Sequence, residues 1–384
     1  MKLSRIWALA HKEWREIVRD RLFLALAFVV PASLMLVFGY GLSLDVERIP
    51  FAVVDQDKSA LSRDYLHRFI DSRYFDYRGD VNSEHELEPL LAASRVRFAI
   101  VIPPKFQEQL MAGRPVAVQS LIDGTFPFRA STSKGYVIAI NAAFNGELMA
   151  AYITRQLGGS PDQAAALTQP VRAQLRYLYN QELKSTWSIA TVLVMFVLMV
   201  APPFLTALGV VREKENGSIY NIYASTVTRG EFLAGKLAPY VGISIVNGLV
   251  LWALATGLFG APFKGDPVFF FVALVIYVCC TTGIGLLASL IVRTQVAAMM
   301  LTVVMTIIPS VLYSGLLVPI ASMEPQGQFE AHLFPAMYFT DIALGSFLKG
   351  VGLDQLWDKA LALAAYAVVL WLLSFALFHK RPRA

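Results

Sequence analysis

The sequence predicts an α-helical integral membrane protein with six transmembrane helices, an N-terminal interfacial helix and an inserted α/β extracytoplasmic domain. Three observations predict it. Long stretches carry no charged residue. The excess of positive charge collects in connections that fall on one side. One segment of about 140 residues has balanced charge and mixed strand and helix patterns.

The charge-free stretches are Leu22–Leu44, Thr186–Val211, Leu237–Phe263, Pro267–Val292, Thr294–Met323 and Ala360–Phe378. A helix needs about 20 apolar residues to cross a bilayer. Lipid cannot solvate backbone N–H and C=O groups, so such segments must be helical there. The 384-residue chain is 56% hydrophobic and 16% charged, against roughly 25% charged in a soluble domain.

Residues 1–21 form the first element, an amphipathic helix centred on 3–18. Leu3, Ile6, Trp7, Ala10, Trp14, Ile17 and Val18 recur at helical spacing. Lys12, Glu13, Arg15, Glu16 and Arg19 cover the other face. Trp7 and Trp14, with Arg15 beside them, suit a membrane interface. The apolar run after it has 23 residues, longer than the roughly 7–15 of a signal sequence, so 22–44 reads as a retained first span.

Segment 45–184 is the α/β domain, expected on the periplasmic side. Phe51–Val54, Val96–Ile102 and Val116–Ile122 read as strands. Ser59–Asp71, Ser131–Gln156 and Pro161–Leu183 read as helices, the last two leading back to the membrane. Residues 185–384 carry the other five spans. Within them, 324–359 is too broken by Pro325, Gly327, Pro335, Gly345, Gly350 and Gly352 for a span and too apolar for a free loop. It reads as re-entrant or interfacial helices.

Charge sets the orientation. Residues 1–21, the 212–236 loop, Arg293 and the tail together hold 14 basic and 6 acidic residues, whereas 324–359 holds 2 and 5. By the positive-inside rule both termini are cytoplasmic. Anionic lipid accounts for the net charge of +5 without nucleic acid.

Little in the chain suggests catalysis, and no catalytic, cofactor-binding or metal residue is expected. Cys279 and Cys280 are adjacent inside a span and read as small apolar filler. His11, His67, His85, His332 and His379 lack metal-like spacing. Turn chemistry explains Asp55 and Asp57. Gly230–Lys236 fits the start of a phosphate-binding loop, but Leu237 stands where its hydroxyl should be and no strand precedes it. The spans contain no ionisable group, which ion-coupled carriers usually need. Asn247, Thr281 and Thr282 read as helix-to-helix glue. Any transport by this chain draws its energy from elsewhere.

The loop 212–236 is the strongest positive signal. A charged run, Arg212-Glu213-Lys214-Glu215, leaves the second span. Gly217-Ser218 opens a short helix presenting Ile219, Tyr220, Ile222 and Tyr223. Thr226 to Arg229 breaks it before Gly235-Lys236 enters the third span. Such a helix can dock into a protein groove.

At these residues the chain resembles the ABC-2 permeases, the membrane subunits of type-2 ABC exporters. Arg212–Ser218 and Gly235-Lys236 match the family's charged run and its entry to the third span. Pro309 and Ser314–Pro319 agree in the fifth. The family's usual acidic residue is missing from Ser218–Tyr223. The external domain resembles the bacterial inner-membrane subgroup. The resemblance implies a multi-pass subunit that exports a drug, a lipid or another amphipathic compound. A separate cytoplasmic ATPase would bind ATP and magnesium and push on 217–229, and two permease chains, identical or related, would form the path. A periplasmic adaptor could meet the external domain. Gly39, Gly41, Gly283, Gly285 and Ser289 would allow close helix packing, within one chain or between two. The rival from another class is a membrane-anchored binding or assembly protein that acts through its external domain.

Overall fold

The computed structural model describes residues 2–42, 45–157, 178–218, 226–316 and 318–378. They form two compact units, Met1–Leu44 with Tyr177–Ala384, and Asp45–Arg176.

The first unit is helical. Helix α1 spans Leu3–Arg19 and α2 spans Arg21–Gly41. Asp20 separates them in extended backbone and accepts the Leu22 and Phe23 N–H groups at 3.0 and 3.1 Å, capping α2. A π-turn at Ala25–Val29 precedes Pro31. The wider turn accommodates a residue that has no N–H to give.

Helix α7 (Ser185–Glu215) is the column around which the unit is built. Its most apolar stretch is 89% buried. Against it pack α2, α8 (Arg229–Leu258), α9 (Pro267–Ile291), α10 (Gln295–Tyr313) and α12 (Pro335–Leu344). Helix α13 (Leu353–Leu377) packs on α9 and α12 and is only 11% buried. Cys280 is buried between α9 and α13, where its thiol meets the Leu363 carbonyl.

The fifth apolar stretch is shorter as a helix than its sequence suggests. Residues 294–323 are all uncharged, yet α10 stops at Tyr313, where Gly315 takes a positive φ of 83°. A 3-10 turn at Ile320–Ser322 and α11 (Pro325–His332) follow. Helix α12 then returns into the bundle, extended by a π-turn at Gly345–Lys349. Phe339 stacks on Tyr277 of α9 with ring centres 4.3 Å apart. The broken segment is therefore helical and partly buried against protein, which satisfies its backbone.

The second unit is a four-stranded sheet in the order β2-β1-β3-β4. β1 (Ile49–Asp55) runs parallel to β2 (Phe75–Asp80) and β3 (Phe98–Ile102); β4 (Gln119–Ile122) is antiparallel to β3. The central strand β3 is apolar throughout, and β1 is apolar up to its final Asp55, because both faces are covered. One face buries Phe51, Phe75 and Phe98 under α3 (Ala60–Ile70) and α6 (Pro127–Leu157). The other buries Ala52, Val54, Ala99 and Val101 under α4 (Glu84–Ala92). A short α5 (Phe106–Met111) leads to β4.

Among the described residues, seven helices are long and apolar enough to cross a membrane. Six correspond to the charge-free stretches. The seventh is α6, the least apolar of them. Its Val137 and Phe144 enter the core of the α/β unit, and Arg68 of α3 forms a two-pronged ion pair with its Glu147. Most of the helix expected at Pro161–Leu183 lies outside the described residues. Its described end, 178–184, is a turn rather than helix.

Candidate functional site

The site lies where α1 meets the end of α7 and the start of α8. Its frame is local chemistry. Thr228 caps α8: its hydroxyl accepts from Glu231 N at 3.3 Å, while Glu231 accepts from Thr228 N at 2.9 Å. Glu231 also accepts from the Lys2 backbone at 2.6 Å and lies 3.6 Å from Arg5, whose guanidinium reaches the Thr226 carbonyl at 2.7 Å. The start of α1 is thereby tied to the start of α8.

Gly235 lets the two helices touch. A Cβ there would lie 2.7 Å from Leu9 Cβ and 2.9 Å from the Ile6 carbonyl. One turn further along α1 the contact becomes ionic. Glu13 Oε1 accepts from Lys236 Nζ and from the Tyr240 hydroxyl, both at 2.6 Å. Glu213 Oε1 takes Lys12 Nζ at 2.8 Å and lies 3.1 Å from Lys236 Nζ. Glu13, Glu213 and Lys236 are each at most 5% exposed. Gly209 leaves room for the Tyr240 ring, whose hydroxyl would lie 1.7 Å from a Cβ at that position.

This corrects one reading of the sequence. Glu13 belongs to the buried side of α1, not to a solvated polar face. Ionisable groups are also buried in the helices that carry spans, since α7 and α8 extend past the charge-free stretches. Burial pushes the Glu13 carboxyl above its ordinary range, and Lys236 and Tyr240 offset this only in part. Lys12 is raised: burial works against its charge, but its hydrogen bond and attraction to Glu213 outweigh that. Asp20 is held low by the Phe23 N–H and by Arg212.

The run Arg212–Glu215 fans out to four neighbours, because successive residues on a helix point about 100° apart. Arg212 reaches Asp20 at 2.6 Å. Glu213 joins the buried cluster. Lys214 donates to the Ser289 and Val292 carbonyls at the end of α9, which have no helical partner of their own. Glu215 accepts from the Gln295 backbone at 3.1 Å and side chain at 2.8 Å, at the start of α10. One charged turn thus bonds to α1, α2, α8, α9 and α10.

The remaining sequence candidates fall as follows. Gly217 follows α7 at φ 72°, and Ser218 donates back to the Glu213 carbonyl at 3.3 Å. Ile219, Tyr220, Ile222 and Tyr223 lie outside the described residues. Thr226 and Arg229 are exposed. Leu3, Trp7, Trp14 and Val18 form an exposed apolar stripe beside the buried side of α1, and Arg15 is exposed there too. Three of the four glycines pack within the chain. A Cβ at Gly39 would meet the Phe259 ring at 2.4 Å, one at Gly283 would meet Leu370 at 3.2 Å, and one at Gly285 would meet the Pro203 carbonyl at 2.2 Å. Gly41 has open space. Ser289 is buried and bonds the Leu286 carbonyl. Gly230–Lys236 is helical, so it offers no phosphate-cradling loop. Glu13, Glu16 and Glu213 bring carboxylate oxygens within 4.8 Å of one another, but each is already paired with Lys12 or Lys236.

Little along the chain singles out Lys12, Glu13, Asp20, Glu231 and Tyr240 in advance. Asp20 before an apolar run is a capping signal, and Thr228 with Glu231 is a capping box. Nothing local marks Glu13 or Tyr240.

The sequence profile of the ABC-2 family transporter proteins matches residues 21–376. This chain belongs to the ABC-2 transporter family. It is 29% identical to the probable multidrug ABC transporter permease YbhS of Escherichia coli (strain K12), over 90% of this chain and 89% of that protein. The inner membrane transport permease YhhJ of the same organism is 26% identical over 98% of each chain. The linearmycin resistance permease protein LnrN of Bacillus subtilis (strain 168) is 26% identical over 70% of this chain and 71% of its own. As an ABC-2 protein the chain is a multi-pass membrane component of a transporter.

Proposed function

We propose that this chain is the permease subunit of an ATP-driven exporter in the bacterial inner membrane. In this reading six helices cross the bilayer, both termini are cytoplasmic, and the α/β unit is periplasmic. A separate ATPase docks on 217–229 and hydrolyses ATP with its own magnesium. Two permease chains enclose the path of a drug, a lipid or another amphipathic compound. The relatives named as multidrug and resistance permeases support the substrate class.

The observation that carries the reading is the fan of Arg212–Glu215. The segment 216–228 leaves from a turn bonded to α1, α2, α8, α9 and α10. It re-enters at a cap bonded to α1. A push on that segment is delivered to several helix ends at once. A loop that merely connected two anchors would not need them.

The test is capture of the tagged chain from gently solubilised membranes. An ABC ATPase is expected with the wild type and not with Ile219→Asp/Tyr223→Asp, although that variant still inserts. In reconstituted vesicles the variant should lose transport while the ATPase still turns over. The purified chain alone should hydrolyse no ATP. Capture of no ATPase by the wild type, or full transport by the variant, would overturn the proposal.

A further inference from the structure

A cleft of about 1020 Å³ opens beside the junction, between the bend of α1 into α2 and the end of α7. Four carboxylates line it, and each is engaged. Glu13 is met by Lys236, Glu16 by Lys12, Glu213 by both lysines, and Asp20 by Arg212. Arg19 and Arg21 line the cleft as well, and neither has an ion pair among the described residues. They flank Asp20, whose carboxylate is turned to Arg212 and to the cap of α2.

Two unneutralised guanidinium groups thus share a bend with apolar surface. Leu22, the next residue, is 71% exposed, and Phe23 and Ile17 are buried in the wall. Paired positive charge above an apolar wall is complementary to an anionic phospholipid, whose phosphate sits directly above its acyl chains. A soluble anion would use the arginines but not the wall. A cationic amphipath would use the wall but find every carboxylate occupied.

We propose that this cleft binds one anionic phospholipid, with its phosphate at Arg19 and Arg21 and its chains along Leu22. The inference rests on α1 lying at the bilayer surface, but not on export or on an ATPase. Bound lipid would fix the bend that Asp20 and Arg212 also hold, and so make lipid charge a determinant of the junction's stability.

Native mass spectrometry of the full chain in detergent tests this. Phosphatidylglycerol, phosphatidylcholine and inorganic phosphate are added separately. One phosphatidylglycerol should remain bound where phosphatidylcholine and phosphate do not. Arg19→Gln and Arg21→Gln should each weaken it about fivefold, and the double variant roughly thirtyfold. Arg15→Gln is the control, because Arg15 is exposed on the same helix but does not line the cleft. It should leave binding unchanged. The single variants carry the same readout if the double variant does not fold. Equal loss in Arg15→Gln would reduce the effect to a diffuse basic surface and overturn the proposal. So would unchanged binding in the arginine variants, equal retention of phosphatidylcholine, or binding of phosphate alone.

Discussion

Two buried regions of the helical unit are held together by opposite means. At the junction, three ionisable side chains at most 5% exposed bind α1, α7 and α8. In the bundle, α7, α9 and α12 meet through bare backbone and rings: Gly285 against Pro203, Tyr277 against Phe339. The difference concerns what can move. An ion cluster has several near-equivalent pairings, here two lysines shared among three glutamates. Backbone wedged into a glycine has one. The junction offers its charges more than one partner, and the bundle offers its glycine one.

The sharpest way to break the comparison is Lys236→Met. It strands Glu13 and Glu213 without their shared cation, and removing one partner of a buried pair costs about 3–5 kcal/mol. Adding Glu13→Gln should recover much of the loss. Thermal unfolding in detergent reads both, and an unaltered midpoint for the single variant would show that the cluster does not hold the junction.

Gly285→Ala should come next, at about 1–3 kcal/mol, the usual cost of overpacking. The clash is with the Pro203 carbonyl, Cα and C atoms, so no side-chain truncation should relieve it. Gly39→Ala offers the contrast: it meets only the Phe259 ring, and Phe259→Leu should restore it. Rescue of Gly285→Ala by trimming a neighbour would remove the distinction between the two regions.

Asp20→Ala should cost about 1 kcal/mol, the worth of a helix cap. Its carboxyl is held below the ordinary 3.8. Its contribution is therefore complete above that value and lost as pH falls through the lower, folded-state pKa. The wild type should lose this increment in strong acid, and the variant should not.

The smallest effect is also the one that runs the other way. Glu13 is raised above its ordinary 4.5, so the folded protein holds a proton that the unfolded chain releases. Stability from this group is present at and below pH 4.5 and declines as pH rises toward the raised value. Glu13→Gln should flatten that decline in a pH series of unfolding midpoints. An identical slope in the variant would place the titration elsewhere.

The two regions also differ in how legible they were. The spans could be read because lipid imposes a one-dimensional rule, a long run without charge. The same holds for β1 and β3, whose two covered faces demand continuous apolar residues. β2 escaped because it is an edge strand carrying Asp76, Arg78 and Asp80, which open water tolerates. The end of α10 escaped because Ser314–Met323 stays uncharged after the helix has stopped. At the junction, Arg212–Glu215 and Gly235-Lys236 stood out as a pattern. Their partners did not, because Glu13 and Lys236 are 223 residues apart and each looks like an ordinary surface charge.

The sequence by itself determined which segments are long and apolar enough to be membrane helices and where the balanced-charge α/β segment interrupts them. Backbone groups in lipid leave no alternative, and that constraint acts residue by residue along the chain. Only the tertiary structure decided which charges are buried and with whom. The cost of burying an ion depends on an opposite charge within a few ångströms, and that proximity is created by folding.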